Sequence, residues 1–237
     1  MNILSKAKNL ILDILFPSIC LSCKNNLSAT EKENKICQKC LASIQIYSSF
    51  FCPKCKNRVP GEERSCHKEI KFILAPVTDY QNPAVKNLIW FLKYHRWQSI
   101  TKIIEPLINN YLDILNYSFR DLVIIPIPLH QDRFKERGFN QSELIAKIIS
   151  KRTGNAPDTN NLKRVKATKN QAELKNADER IKNIENCFSL NDPNRVKNKN
   201  IVLVDDVFTT GSTMSEAVKI LKQAGAKKII AFVFAKA

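Results

Sequence analysis

The chain has 237 residues, of which 44% are hydrophobic and 25% charged, and a formal net charge of +16. That length allows one core of ordinary size and a small appendage, and no stretch approaches the ~20 apolar residues of a membrane span. The charge favours polyanions as partners, whether nucleic acid, nucleotide or anionic lipid. A lysine-rich balance with abundant Asn and Ile is also what AT-rich coding leaves on an ordinary enzyme, and net charge speaks to association rather than to fold.

At the N-terminus, Ile3, Leu10, Ile11, Ile14 and Leu15 have the spacing of an amphipathic helix over residues 3–16, ended by Pro17. The apolar run at 10–16 is short, contains Asp13 and leads into no small-residue cleavage site, so no export signal is read and the cytoplasm is the expected compartment. Seven of the eight cysteines follow between Cys20 and Cys66. In a reducing compartment, cysteines paired at a two-residue spacing read as thiolate metal ligands rather than bridges.

Cys20-Leu-Ser-Cys23 and Cys37-Gln-Lys-Cys40, thirteen residues apart, have the two-knuckle arrangement of a closed tetrahedral zinc site. Four thiolates leave no open position, so the expected role is folding stability; an iron-sulfur centre is the alternative for the same ligands. A second set comprises Cys52, Cys55 and Cys66, with Glu69 where another C-x-x-C would end. Glu69 or His67 stands as its fourth ligand, or the set is degenerate and metal-free. Cys187, alone on an expected strand, reads as a core residue.

From residue 72 the grammar changes to alternating strand and helix. Strands are expected at 72–80, 122–127, 201–205 and 228–234, and helices at 84–92, 99–115, 140–151 and 212–223. Strands apolar on both faces and separated by helices imply an α/β domain with a parallel sheet covered on both sides. The expected division is a cysteine-rich module over 1–70 and the α/β domain over 71–237. Residues 155–180 are polar and lysine-rich, with no core contribution expected before Ile181, which suits a functional or mobile segment.

The most informative run is Ile201-Val-Leu-Val-Asp-Asp-Val-Phe-Thr-Thr-Gly-Ser-Thr213. A buried strand delivers Asp205 and Asp206 to its carboxyl end, where open parallel sheets bind ligands, and turns into a helix. Thr209, Thr210, Gly211, Ser212 and Thr213 then supply hydroxyls and a glycine that lets backbone N–H groups converge on an anion. Carboxylates accept hydrogen bonds from vicinal ribose hydroxyls while such a loop holds a phosphate, so a sugar phosphate fits the spacing. A Walker-B strand would need a partner G-x-x-x-x-G-K-[ST], and the five glycines, at 61, 138, 154, 211 and 225, provide neither that nor G-x-G-x-x-G. Solvated acids capping a helix are the structural alternative.

Val204, Asp205, Asp206, Val207, Phe208 and the loop to Thr213 resemble the phosphoribosyl-pyrophosphate (PRPP) signature of type I phosphoribosyltransferases. With Pro126-Ile-Pro-Leu-His130, Arg133, Arg137-Gly-Phe-Asn-Gln-Ser-Glu-Leu144, Gln171, Glu179-Arg180 and Asn183, nearly the whole chain is similar to the ComF family, in which a double zinc ribbon precedes a phosphoribosyltransferase domain. The chain departs from that pattern at Glu69. The resemblance implies Zn2+ in the ribbon and Mg2+ with PRPP, Asp205 and Asp206 on the ribose hydroxyls, and the loop on the 5-phosphate. It also implies cations for the pyrophosphate. Candidates are Lys93 and Arg96 in a turn between two helices, and Arg164, Lys166 or Lys169 in a mobile catalytic loop over 164–180. His130, Arg133 and Arg137 suit a base or anion site, with a satisfied structural histidine as the plainer reading of His130.

Three functions follow from the resemblance. One is transfer of phosphoribosyl to an acceptor. Another, from the family's association with natural competence and the DNA-uptake machinery, is binding of single-stranded DNA, with Phe50, Phe51 and Trp97 as stacking residues or simply a miniature core. The last is a PRPP sensor without catalysis.

Overall fold

The computed structural model describes residues 18–61, 66–94, 100–119, 121–166 and 184–237. The helix expected at 3–16, the segment with Lys169 and Gln171, and the residues His95, Arg96 and Trp97 lie outside the described residues.

A six-stranded sheet runs in the order β2 (Arg58–Val59), β1 (Phe50–Phe51), β3 (Ile73–Asp79), β8 (Lys228–Lys236), β7 (Asn200–Phe208) and β4 (Leu122–Pro126). Its centre is parallel: β3, β8, β7 and β4. Alternation along these strands sends apolar residues to both faces, which is why their sequences read as unbroken apolar runs. Ile230, Phe232 and Phe234 of β8 face the layer formed by α2 (Pro83–Tyr94), α3 (Thr101–Leu115) and α5 (Gln141–Thr153). Ile229, Ala231 and Val233 face the opposite layer, formed by α6 (Ser212–Gln223) and a two-stranded antiparallel sheet of β5 (Leu162–Arg164) and β6 (Phe188–Leu190).

The main elements stand where the apolar periodicity puts them, with three differences. Leu162 is buried and pairs with Leu190, so the polar stretch from 155 does contribute to the core; a three-residue strand is too short to register as a pattern. A seven-residue helix, α4 (Gln131–Arg137), follows β4, capped by His130 and closed by Gly138 at φ 79°. The strand bearing the acids runs on through them to Phe208.

The cysteine-rich segment is not a separate body. Beyond the short helix α1 (Gln38–Ala42), its strand β1 (Phe50–Phe51) joins the sheet antiparallel to β3, with Phe51 opposite Leu74, and β2 (Arg58–Val59) pairs antiparallel with β1 at the edge. Cys20, Leu27, Ile36, Phe50 and Cys52 belong to the same apolar cluster as Val77 and Phe234. A small ribbon with little apolar surface of its own thus borrows a core across residue 70, the expected boundary.

The cysteine pairs carry a longer repeat than the thiols alone. Cys20-Leu-Ser-Cys-Lys-Asn25 and Cys52-Pro-Lys-Cys-Lys-Asn57 fold alike. The Cys20 and Cys52 N–H groups donate to Asn25 and Asn57 carbonyls, at 2.8 and 2.9 Å. Lys24 and Lys56 take left-handed φ values of 64° and 59°, turning each knuckle back on its first cysteine.

Candidate functional site

At the carboxyl end of β7 a cleft of about 540 Å³ opens between the β7–α6 turn, the last turns of α2 and the start of α5. Asp205 and Asp206 lie at its floor. Asp205 Oδ1 accepts hydrogen bonds from Ser142 Oγ and from the Asp206 amide, each at 2.9 Å. Asp206 Oδ1 accepts from the Val207 amide at 2.9 Å, and its Oδ2 forms an ion pair with Lys93 Nζ at 2.8 Å.

Burial, and then the charge of Asp206, raise Asp205 to about 7 against the hydrogen bonds it accepts. Burial raises Asp206 as well, but the Lys93 ammonium, with Arg137 behind it, outweighs burial and holds it below the usual carboxylate range. Burial alone would lower Lys93; Asp206 and Asp205 outweigh it and raise the ammonium above its ordinary value. The floor is therefore an ion pair beside a carboxyl whose surroundings favour its proton.

Above the acids the strand turns sharply. Gly211 has φ 79°, and a Cβ there would meet the Phe208 ring at 2.5 Å, so both backbone and space demand glycine. The Phe208 ring, itself buried against Phe72, supports the turn from beneath. Thr210 Oγ1 and Ser212 Oγ stand 2.9 Å apart at the mouth. The first N–H groups of the twelve-residue α6 have no intrahelical acceptors, and Ser212, Thr213 and Met214 at its start line the cleft, where such a terminus suits an anion.

Asp205, Asp206, Val207, Phe208, Thr209, Thr210, Gly211, Ser212 and Thr213 all line the cleft. Val204 does not: it is fully buried in the core, because alternation along β7 turns it into the α2 layer. Lys93 lines the cleft from the last turn of α2, not from a turn between helices, and is committed to Asp206. Arg164 reaches the cleft from β5, its guanidinium 5.6 Å from the centre of the Phe188 ring; burial lowers its pKa. Arg133 and Arg137 complete the cationic lining, and Arg137 lies 5.4 Å from the Tyr94 ring centre. Arg137 Nε and Gln141 Nε2 are buried donors that find no hydrogen-bond partner among the described residues. His130 does not line the cleft: its Nδ1 caps α4 at the Asp132 amide, 3.4 Å away, as the structural reading of it expects.

The sequence assigns no role to three residues of the site, although Ser142 lies within the Arg137–Leu144 run. Ser142 is the second residue of α5 and meets Asp205 because Asn140 caps the helix, accepting from the Ser142 amide, and anchors it by donating to the Ile127 carbonyl at 3.0 Å. Trp90 and Tyr94 line the mouth, half exposed, from a helix that reads simply as amphipathic.

In the ribbon, the Sγ atoms of Cys20, Cys23, Cys37 and Cys40 lie within 4.8 Å of one another. Cys23 and Cys37 stand 3.7 Å apart, close to the roughly 3.8 Å that a tetrahedron with Zn–S bonds of 2.3 Å requires. Cys20 Sγ also accepts from the Ser22 and Cys37 amides, as a buried thiolate needs. The second group is Cys52, Cys55, Cys66 and His67, with His67 Nδ1 3.4 Å from Cys52 Sγ and 3.2 Å from Cys66 Sγ. Glu69, expected as a ligand, instead pairs with Lys54 at 2.5 Å on the surface. The chain turns at His67 soon enough to bring its imidazole inward, which leaves no place for a carboxylate two residues on. Both donor sets suit zinc.

Comparison with known proteins matches residues 11–76 to a double zinc ribbon domain and residues 137–237 to a phosphoribosyl transferase domain. The chain is 32% identical to a DNA utilization protein of Shigella flexneri, YhgH, over 89% of this chain and 87% of that one. It is 31% identical to competence protein F of Haemophilus influenzae, over 92% of this chain and 96% of that one. The chain belongs to the ComF family. A further relative, competence protein ComFC of Bacillus subtilis, is 25% identical over 87% of this chain. In this ComF chain the two matched regions coincide with the two metal groups and with the acid-bearing strand, so family and geometry agree on the double zinc ribbon and the phosphoribosyltransferase fold. Among the described residues, no helix of this ComF protein is long and apolar enough to cross a membrane.

Proposed function

We propose that the cleft binds magnesium PRPP and transfers its phosphoribosyl group to a nitrogen nucleophile. The observation carrying this reading is the union, at one strand end, of two adjacent acids with a glycine-pinned helix N-terminus. Asp205 and Asp206 accept hydrogen bonds from the vicinal ribose hydroxyls, and the amides and hydroxyls at 209–213 hold the 5-phosphate. Arg133, Arg137 and Gln141 on the β4 side, with Arg164 opposite, suit the diphosphate; Arg137 Nε and Gln141 Nε2 are buried donors without an acceptor among the described residues. In this arrangement Lys93 is paired with Asp206.

The acid pair and the ligand's own oxygens form a hard-donor set that fits magnesium, which when bound supplies charge neutralisation on the leaving diphosphate. In the transfer, a bond forms from the acceptor nitrogen to the anomeric carbon, and the bond to diphosphate breaks. Diphosphate leaves with the electron pair and the nitrogen gives up its proton. Such a displacement asks for positioning and electrostatics more than for acid-base groups.

Calorimetric titration with magnesium and PRPP tests the reading. Wild type should bind saturably and the double variant Asp205→Asn/Asp206→Asn should not; equal affinity in both would end the proposal.

The names of the relatives and the charge of +16 favour a role in DNA uptake, with single-stranded DNA held on the basic surface. Phosphate contacts of this kind weaken steeply with salt. A labelled oligothymidylate should therefore bind at low salt and be released as salt rises, and no binding at low salt would remove this role.

A further inference from the structure

Two adjacent carboxylates, Asp206 buried and Asp205 partly buried, are by their chemistry an invitation to a hard divalent cation. In this cleft that position is already filled by the chain. Lys93 Nζ sits 2.8 Å from Asp206 Oδ2, and its side chain and that of Asp206 are about 26% and 11% exposed, so the pair is sheltered from solvent. Arg137 and Arg164 line the same cleft and add positive charge around it.

We infer that Lys93 is an internal counter-cation that keeps the empty cleft from taking up a divalent metal, so that metal enters only with a ligand bringing its own phosphate oxygens. A metal approaching the acids alone must displace the ammonium or bear its repulsion within a few ångströms, in a site where charge is poorly screened. A phosphorylated ligand changes that balance: its hydroxyls donate to Asp206, its anionic oxygens attract the ammonium away, and they supply the remaining metal ligands. Arriving without its ligand, a metal would fix the acids in a geometry that the ribose hydroxyls could not enter. The first half of this inference, exclusion of free metal, depends only on the geometry of Lys93 and Asp206. The second, uptake with PRPP, rests on the proposed function.

Manganese is the probe, since its electron paramagnetic resonance signal reports free and bound ion, and it ranks below zinc in affinity for the ribbon thiolates. Zinc-loaded wild type should show no saturable Mn2+ binding without PRPP. Lys93→Met and Lys93→Gln should each gain one site, at least about tenfold tighter than anything in wild type, that is lost in Lys93→Met/Asp206→Asn, and Lys93→Arg should restore exclusion. Saturable binding by wild type that disappears in Asp206→Asn overturns the inference whether or not the Lys93 variants fold. So does a folded Lys93→Met with no gain, or a gain that survives Asp206→Asn. Adding PRPP to wild type should then produce the Mn2+ site. If the Lys93→Met gain is present but PRPP produces no site in wild type, the PRPP reading fails and the exclusion by Lys93 stands.

Discussion

At the scale of single residues, the cleft is an arrangement of constraints that each exclude alternatives. Gly211 accepts no side chain because Phe208 fills the space below it, and Phe208 is fixed in turn by packing on Phe72. Asp205 is fixed between Ser142 and the Asp206 amide, yet its surroundings favour the proton. That imbalance has a signed consequence. An unfolded aspartate titrates near 3.8 and the folded one at about 7, so between those values the native state binds more protons than the unfolded chain. Its contribution to stability is full below the unfolded value and is lost as pH rises towards 7. Urea unfolding of wild type and Asp205→Asn should show wild type losing stability relative to the variant between about pH 4 and 7, with the difference level above that. A difference independent of pH would mean that Asp205 is not held protonated by burial. Comparing the two proteins cancels the acid lability of the metal thiolates, which both share.

At the scale of elements, the two knuckles are the same turn used twice, down to a left-handed lysine after the second cysteine. Their metal groups differ in the fourth ligand: a cysteine in one and His67 in the other. Zinc content by elemental analysis should be about two per chain in wild type, about one in His67→Ala, and unchanged in Glu69→Gln. Loss of a zinc from Glu69→Gln, or two zincs retained in His67→Ala, would restore the carboxylate as ligand. The sequence offers both Glu69 and His67 for this place, and the structure brings in His67. C-x-x-C spacing describes a knuckle of two cysteines, but a histidine next to a cysteine reaches the metal by its longer side chain, so the pattern ends two residues sooner. Similar reasoning explains β5 and α4. A three-residue strand and a seven-residue polar helix have too few positions for any period to emerge, and both are held by neighbours rather than by their own propensities.

At the scale of the whole molecule, the ribbon and the α/β core are joined by one continuous sheet and one apolar cluster. Metal in the ribbon therefore stabilises β1, which borders β3, and β3 in turn flanks β8 beside the acid-bearing β7. Much of this was legible along the chain. Unbroken apolar runs announced buried parallel strands, cysteine spacing announced the first metal group, and the Asp-Asp and Thr-Thr-Gly-Ser-Thr sequence announced the cleft, because in each case the needed chemistry lies within a few neighbouring residues. Contacts between distant segments left no such trace. Lys93 and Asp206 are separated by the entire middle of the chain, as nearly are Ser142 and Asp205, and no local pattern says that an ammonium will be consumed by a carboxylate. The sequence by itself determined which elements form and which chemistry they carry, since propensity, periodicity and ligand spacing are local properties. Only the tertiary structure decided which cations remain for a ligand, which donor completes the second metal group, and that ribbon and core are one body. Those outcomes depend on distances across the fold, and distance is what burial and charge act through.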